Sequence, residues 1–245
     1  MALKIPTPLQ WDNRLPEDER AHVDELNSSL ARLNELRAIE INISGLFAKS
    51  KIAWKLATFQ HALLHRIVAL MDGAALAWNH RSTLAAMLCA RSLMETVAVM
   101  SSFERSAGDM LEKKDLGGLD SLGQHGIFAG RDPEWIKDKP EQALNVLTYI
   151  DKFDRIATGF RGHYDRLSER CHPNSFGHNF MFAKLDREQG SITYSDESGP
   201  EMNAEMVLAG VMILPLVESM MRRLDDVITR VADLQHRVSP VGGIA

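Results

Sequence analysis

Apolar residues recur at three- and four-residue spacing along most of the 245-residue chain, the pattern of helices that each bury one face. Pro16 followed by Glu17, Asp18 and Glu19 makes a favourable first turn, and Leu26, Leu30, Leu33 and Leu36 or Arg37 carry the period onward, so a first helix is predicted to about Leu46. Ser50 is positioned to cap a second helix through Trp54, Ala57, His61, Leu64, Val68, Met71 and Ala75 to Trp78, with Asn79 and His80 ending it. Ser82 opens a third to about Arg105, apolar around most of its circumference and therefore expected at the centre. The glycine-rich stretch 106–133 predicts a long connection with one short helix, and Asp132-Pro133 begins a new segment.

Further helices are predicted from Glu141 to Ala157 and from His163 to Cys171, separated by a break near Gly159 to Gly162; Pro173 stops the second. Phe180 to Leu185 and Ser191 to Tyr194 are rich in β-formers and flank the turn Asp186 to Gly190, which reads as a hairpin. A last helix, Glu201 to Arg237, is expected to kink at Pro215. The fold class that follows is mostly all-α: an extended arm at 1–15, one helical-bundle domain at 16–237 with a short β-hairpin insertion near 178–196, and a flexible tail at 238–245.

Composition supports this reading. The chain is 45% hydrophobic but only 7% aromatic, and its Leu, Ala and Met lose little rotamer freedom in a helix. Cys89 and Cys171 are the two cysteines, and no long apolar stretch follows the first residues, which together imply a reducing, cytoplasmic setting. The longest apolar run, Val207 to Val217, contains Pro215 and is far shorter than the roughly 20 residues that span a bilayer, so no membrane partner is expected. A net charge of −5 argues against a generic polyanion binder. Yet Lys152 to Arg187 holds seven basic residues against four acidic ones, a local excess of +3.

Two polar groupings interrupt the apolar pattern. Arg91 and Glu95 lie i, i+4 in the third helix; they pair as a structural ion pair, or Arg91 anchors a phosphate or carboxylate with Glu95 orienting it. Tyr164, Ser168 and His172 share one helical stripe that ends at Pro173, flanked by Arg166 and Arg170. That row is either a hydrogen-bonded helix end with His172 at the negative pole of the helix dipole, or a catalytic row.

The Arg91-Ser-Leu-x-Glu95 helix, the Tyr164-x-x-Leu-Ser168-x-x-x-His172-Pro173 helix end and the following hairpin resemble an uncharacterised bacterial helical family related to the HEPN (higher eukaryotes and prokaryotes nucleotide-binding) superfamily, over roughly residues 50 to 236. HEPN ribonucleases carry an Arg followed after four to six residues by a His. Arg166 and His172 fit, although Leu167 stands where that motif tends to place a polar residue. The resemblance implies metal-independent RNA cleavage of a toxin or phage-defence type, at a composite site in a homodimer. Its catalytic residues would be Arg166, stabilising the phosphorane, and His172 as acid or base; Arg170 or Arg91 would hold a neighbouring phosphate, and no cofactor is implied.

Two rivals stand beside it. In one the chain is a non-catalytic scaffold or binding module in which Arg91, Glu95, Tyr164, Ser168 and His172 form an interior network. In the other Glu169-Arg-Cys-His172, Glu19-Arg-Ala-His22, His61, His65 and Glu95 build a di-metal bundle. Nucleophile elbows, P-loops and dinucleotide glycine patterns are absent from the sequence.

Overall fold

In a computed structural model of the chain, which describes residues 3–137, 142–196 and 201–238, the elements are α1 (Arg20–Glu35), α2 (Lys51–Asn79), α3 (Thr83–Glu112), α4 (Leu116–Phe128), α5 (Pro133–Ile136), α6 (Val146–Asp154), α7 (Phe160–Cys171), α8 (Asn179–Phe182), β1 (Ala183–Asp186), β2 (Ser191–Tyr194), α9 (Glu201–Val211) and α10 (Leu214–Val238). The fold is mostly α with one antiparallel hairpin, in which Ala183 faces Tyr194 and Asp186 faces Ser191. The tail at 239–245 and Glu141 lie outside the described residues; the helix expected from about Glu141 begins instead at Val146, capped by Asn145, after a non-helical stretch at 142–145.

α3 is the central element, packed by α2, α4, α6, α7, α9 and α10. Its Met87, Leu93, Met94, Val97, Met100 and Phe103 are buried on several sides of the helix, so its apolar circumference is matched by neighbours all round. α2 begins where expected: the Ser50 hydroxyl accepts the Ala53 amide at 3.2 Å. The arm is extended and held by side chains rather than by a sheet. Asn27 of α1 bonds both backbone groups of Leu9, while Asp72 and Asn79 of α2 accept the amides of Thr7 and Gln10.

The first helix ends at Glu35, about three turns before the predicted Leu46. Beyond it Ile39, Ile41 and Ile43 alternate with Glu40, Asn42 and Ser44, a two-residue β-branched period that disfavours helix. Two histidines of α2 hold this segment: the Ala38 amide donates to His61 Nδ1 at 3.3 Å, and His65 Nε2 donates to the Ala38 carbonyl at 2.9 Å.

Residues 106–128 are helical rather than a loop: α3 runs to Glu112, and α4 follows after a turn whose Asp115 side chain accepts the Gly118 amide at 2.8 Å. The glycines here serve close packing. A Cβ on Gly123 would stand 2.8 Å from Lys55 Cβ, and one on Gly126 would overlap the Phe59 ring, so α4 lies against α2 at a distance only glycine permits.

The kink expected at Pro215 takes the form of a two-residue interruption at Met212–Ile213, between α9 and α10, because proline has no N–H to donate to residue 211 and its ring collides with that carbonyl. Two stretches, Thr83–Glu112 and Asn203–His236, are long and apolar enough to cross a membrane. About half of each apolar window, 50% and 56%, is buried within the bundle.

Two outcomes follow from this packing. Gly126→Ala should destabilise the fold by about 1–3 kcal/mol through overpacking, whereas Gly108→Ala, with open space around it, should stabilise it by roughly 0.5–1 kcal/mol; urea denaturation of both variants checks the opposite signs. Burial holds His61 below the ordinary histidine value, so the unfolded chain takes up a proton first as pH falls. The stability carried by neutral His61 is present above about pH 6.5 and is lost as pH drops toward the lower folded value. His61→Asn, which retains an acceptor, should flatten the dependence of unfolding free energy on pH between about 7 and 5; an unchanged slope would refute the assignment.

Candidate functional site

Two polar groups on α7 point in different directions. On its inner stripe Phe160, Tyr164, Leu167 and Ser168 are buried. Its outer face exposes His163 and Arg166.

The start of α7 is fixed by Gly159, whose φ of +94° lets the chain turn sharply out of α6. Asp154 Oδ1 accepts the amides of Gly159 and Arg161 at 3.1 and 2.9 Å, capping the new helix. At the other end Pro173 and a tight turn stop it. Asn174 accepts the Phe176 and Gly177 amides, and a Cβ on Gly177 would collide with the His172 carbonyl, so the turn closes directly on the helix end.

Inside, Arg91 and Glu95 of α3 meet Tyr164 of α7. The Tyr164 hydroxyl donates to Glu95 Oε1 at 2.8 Å, and Arg91 Nη2 lies 3.4 Å from the same hydroxyl. Arg91 Nε stands 3.3 Å from Glu95 Oε1, an ion-pair distance without hydrogen-bond alignment. The two charged side chains are 25% and 23% exposed, so water still screens the pair. Burial works against the Arg91 charge, but the Tyr164 oxygen and Glu95 carboxylate more than offset it and hold the guanidinium above its ordinary value. Burial raises the Tyr164 phenol. It also pushes the neighbouring Cys171 thiol up to about 11, which keeps the sulfur protonated and a poor nucleophile at neutral pH.

Of the remaining predicted residues, Ser168 borders this cluster beside the Tyr164 phenol, whereas Arg170 and His172 lie outside it. Ser168 is buried, and its Oγ makes no hydrogen bond among the described residues. Arg170 is 8% exposed and rests against the Phe176 ring, 5.2 Å from its centroid, with a long 3.5 Å contact to the Phe176 carbonyl. That position locks the turn after α7 instead of presenting a cation to solvent. His172 is exposed at the helix end, where its backbone has already left the helix.

Arg166 reaches instead into an open groove of about 580 Å³, lined by His163 of α7, Glu19 and His22 at the start of the bundle, and Glu205, Met206, Leu208, Ala209 and Met212. His172 does not line it. Arg166 Nη2 donates to His163 Nδ1 at 3.0 Å. Burial, then the Arg166 charge, lower His163 and favour the neutral ring that this bond requires. Across the groove His22 Nδ1 bonds Glu19 at 2.7 Å, which raises its pKa.

No family model matches the chain, and neither a curated protein nor a solved structure is significantly similar to it. The reading of the site therefore rests on its own geometry.

His163 escaped the sequence reading although it precedes Arg166 by three residues, on the same helix face. The groupings that suggested a metal take other roles. His61 and His65 hold Ala38, Glu169 accepts from Asn174 at 2.8 Å, and His22 bonds Glu19. Among the described residues no three His, Cys, Asp or Glu side chains come together in a metal-binding arrangement.

Tyr164→Phe removes the bond to Glu95 and should cost about 1 kcal/mol. Glu95→Ala removes the acceptor of the Tyr164 hydroxyl and the counter-charge of Arg91 and should cost more, about 2 kcal/mol. Chemical denaturation of the single variants and of the double variant checks this: the two losses should fall well short of additive, as expected for groups in direct contact.

Proposed function

We propose that this chain is a non-catalytic helical binding module. In it Arg91, Glu95 and Tyr164 fix α3 against α7, and the groove between α7 and α9 receives a ligand. The observation that carries this reading is the divergence of Arg166 and His172: one lines the groove beside His163, and the other sits on an exposed helix end outside it. An acid–base group must come within hydrogen-bond reach of the same reacting atoms as the group that stabilises them. Within one chain, a His172 that does not line the groove holding Arg166 does not meet that condition. The groove has the mixed character of a ligand site, with an apolar floor of Met206, Leu208, Ala209 and Met212 below a rim of charged and imidazole side chains.

A ribonuclease remains the second reading, favoured by one specific observation. A histidine held neutral beside an arginine, in an open groove, is a chemically competent pair for RNA cleavage: the imidazole takes the proton of a ribose 2′-hydroxyl as that oxygen attacks the adjacent phosphorus and the 5′-oxygen leaves, and the guanidinium stabilises the phosphorane charge. The base would then be His163 and not His172. The composite alternative, in which Arg166 of one chain meets His172 of another, requires a homodimer.

One experiment separates these readings: incubation of structured RNA with purified full-length protein and with Arg166→Ala, His163→Ala and His172→Ala, alongside sedimentation of the wild type. The binding-module reading expects no cleavage above the protein-free blank by any of the four. Cleavage abolished by His163→Ala but retained by His172→Ala would replace it with the single-chain nuclease. Cleavage abolished by His172→Ala in a dimeric protein would establish the composite site.

A further inference from the structure

Further along α3, towards its C-terminal end, Ser101, Ser102, Arg105 and Ser106 stand beside α6, which contributes Lys152 and, just past its last residue, Arg155. Together they line a cleft of about 260 Å³ whose apolar part is Phe153 and Ile156 and whose one acid is Asp109. The spacing accounts for the convergence. Residues 101 and 105, and 102 and 106, are i, i+4 pairs on α3, while 152 in the last turn of α6 and 155, its C-cap, are an i, i+3 pair.

The charge in this cleft is uncompensated. Arg14, Arg32, Arg161, Arg223 and Arg230 each hold a carboxylate elsewhere on the surface. Among the described residues Arg105, Lys152 and Arg155 make neither a salt bridge nor a hydrogen bond, and Asp109 pairs with none of them. Three cations against one carboxylate leave a local excess of +2 in a chain of net charge −5. Such a cluster carries a repulsion that an anion between the cations would relieve. Ser101 adds an independent observation. It is 3% exposed, lines the cleft, and its hydroxyl makes no hydrogen bond among the described residues.

We propose that the α3–α6 cleft binds a small phosphomonoester, with the phosphate held between Arg105, Lys152 and Arg155, the serine hydroxyls donating to its oxygens, and the organic part lying against Ile156. Guanidinium groups supply paired donors to phosphate oxygens, and the lysine supplies a compact point charge. The volume favours a ligand of sugar-phosphate size, since it falls below the roughly 300–1,000 Å³ typical of larger ligand pockets. This inference names a ligand chemistry at a second cleft and does not depend on what the α7–α9 groove binds.

Isothermal titration of the full chain with ribose 5-phosphate, ribose and inorganic phosphate tests it, together with thermal unfolding. Ribose 5-phosphate should bind at one site and raise the melting temperature, ribose should not bind, and inorganic phosphate should bind more weakly than the ester. Arg105→Ala with Arg155→Ala should weaken the ester at least about tenfold. Lys152→Glu, a single exposed change, should do the same, with both variants melting near the wild type when unliganded. Three results would overturn the proposal: no saturable binding up to ~10 mM ester, affinity unchanged in Lys152→Glu, or inorganic phosphate binding as tightly as the ester. An RNA oligonucleotide displacing the ester at far lower concentration would likewise replace the small ligand with a polymer.

Discussion

The interaction on which the rest of the structure depends is the burial of α3 around nearly its whole circumference. A helix with one apolar stripe needs one neighbour, whereas Met87, Leu93, Met94, Val97, Met100 and Phe103 project from α3 in several directions and need a ring of them. Each side chain of that size withdrawn from water is worth roughly 1.5–3 kcal/mol, so no single surrounding helix can be lost cheaply. The polar positions of α3 then acquire meaning from where the ring places them. Arg91 and Glu95 meet Tyr164 at α7, and the Ser101–Ser106 segment borders the cleft beside α6. Features that look scattered along the sequence are thus distributed around one axis.

The strongly periodic helices were legible in the sequence because burial and local propensity agree there. α2 opens at Ser50 and α7 stops before Pro173 for reasons that lie within a few residues. Three segments were not legible, each for its own reason. The Ile39–Ile43 stretch leaves the helix because its alternation matches an extended chain, and because His61 and His65, more than twenty residues onward, supply partners for Ala38. Glycines at 123 and 126 suggest flexibility in one dimension, but in three they are the points where α4 and α2 touch. The turn at Met212–Ile213 lies upstream of Pro215, since a proline disrupts the turn that precedes it.

The candidate sites divide in the same way. The Arg91–Glu95–Tyr164 cluster could be anticipated because charges inside an apolar helix must find partners. The spacing of Arg166 and His172 was visible as well, but spacing does not fix direction. Six residues on a 3.6-residue turn place the two well apart around the axis, and the chain has left the helix by His172. His163 lacked any signature beyond standing one turn before Arg166. The cations of the α3–α6 cleft come from helices separated in sequence by α4 and α5, so only the packing brings them together.

The break before Pro215 has a mechanical consequence. α9 packs on α3 and α7 and forms the groove floor, while α10 packs on α1, α2 and α3. Had residues 201–238 formed one rigid rod, any tilt of the groove wall would be levered along more than 50 Å, at 1.5 Å per residue, into the opposite side of the bundle. Met212 stands at the joint and in the groove at once. With the interruption there, the groove wall is a separate element of three turns, and the long terminal helix packs on its own neighbours, α1, α2 and α3.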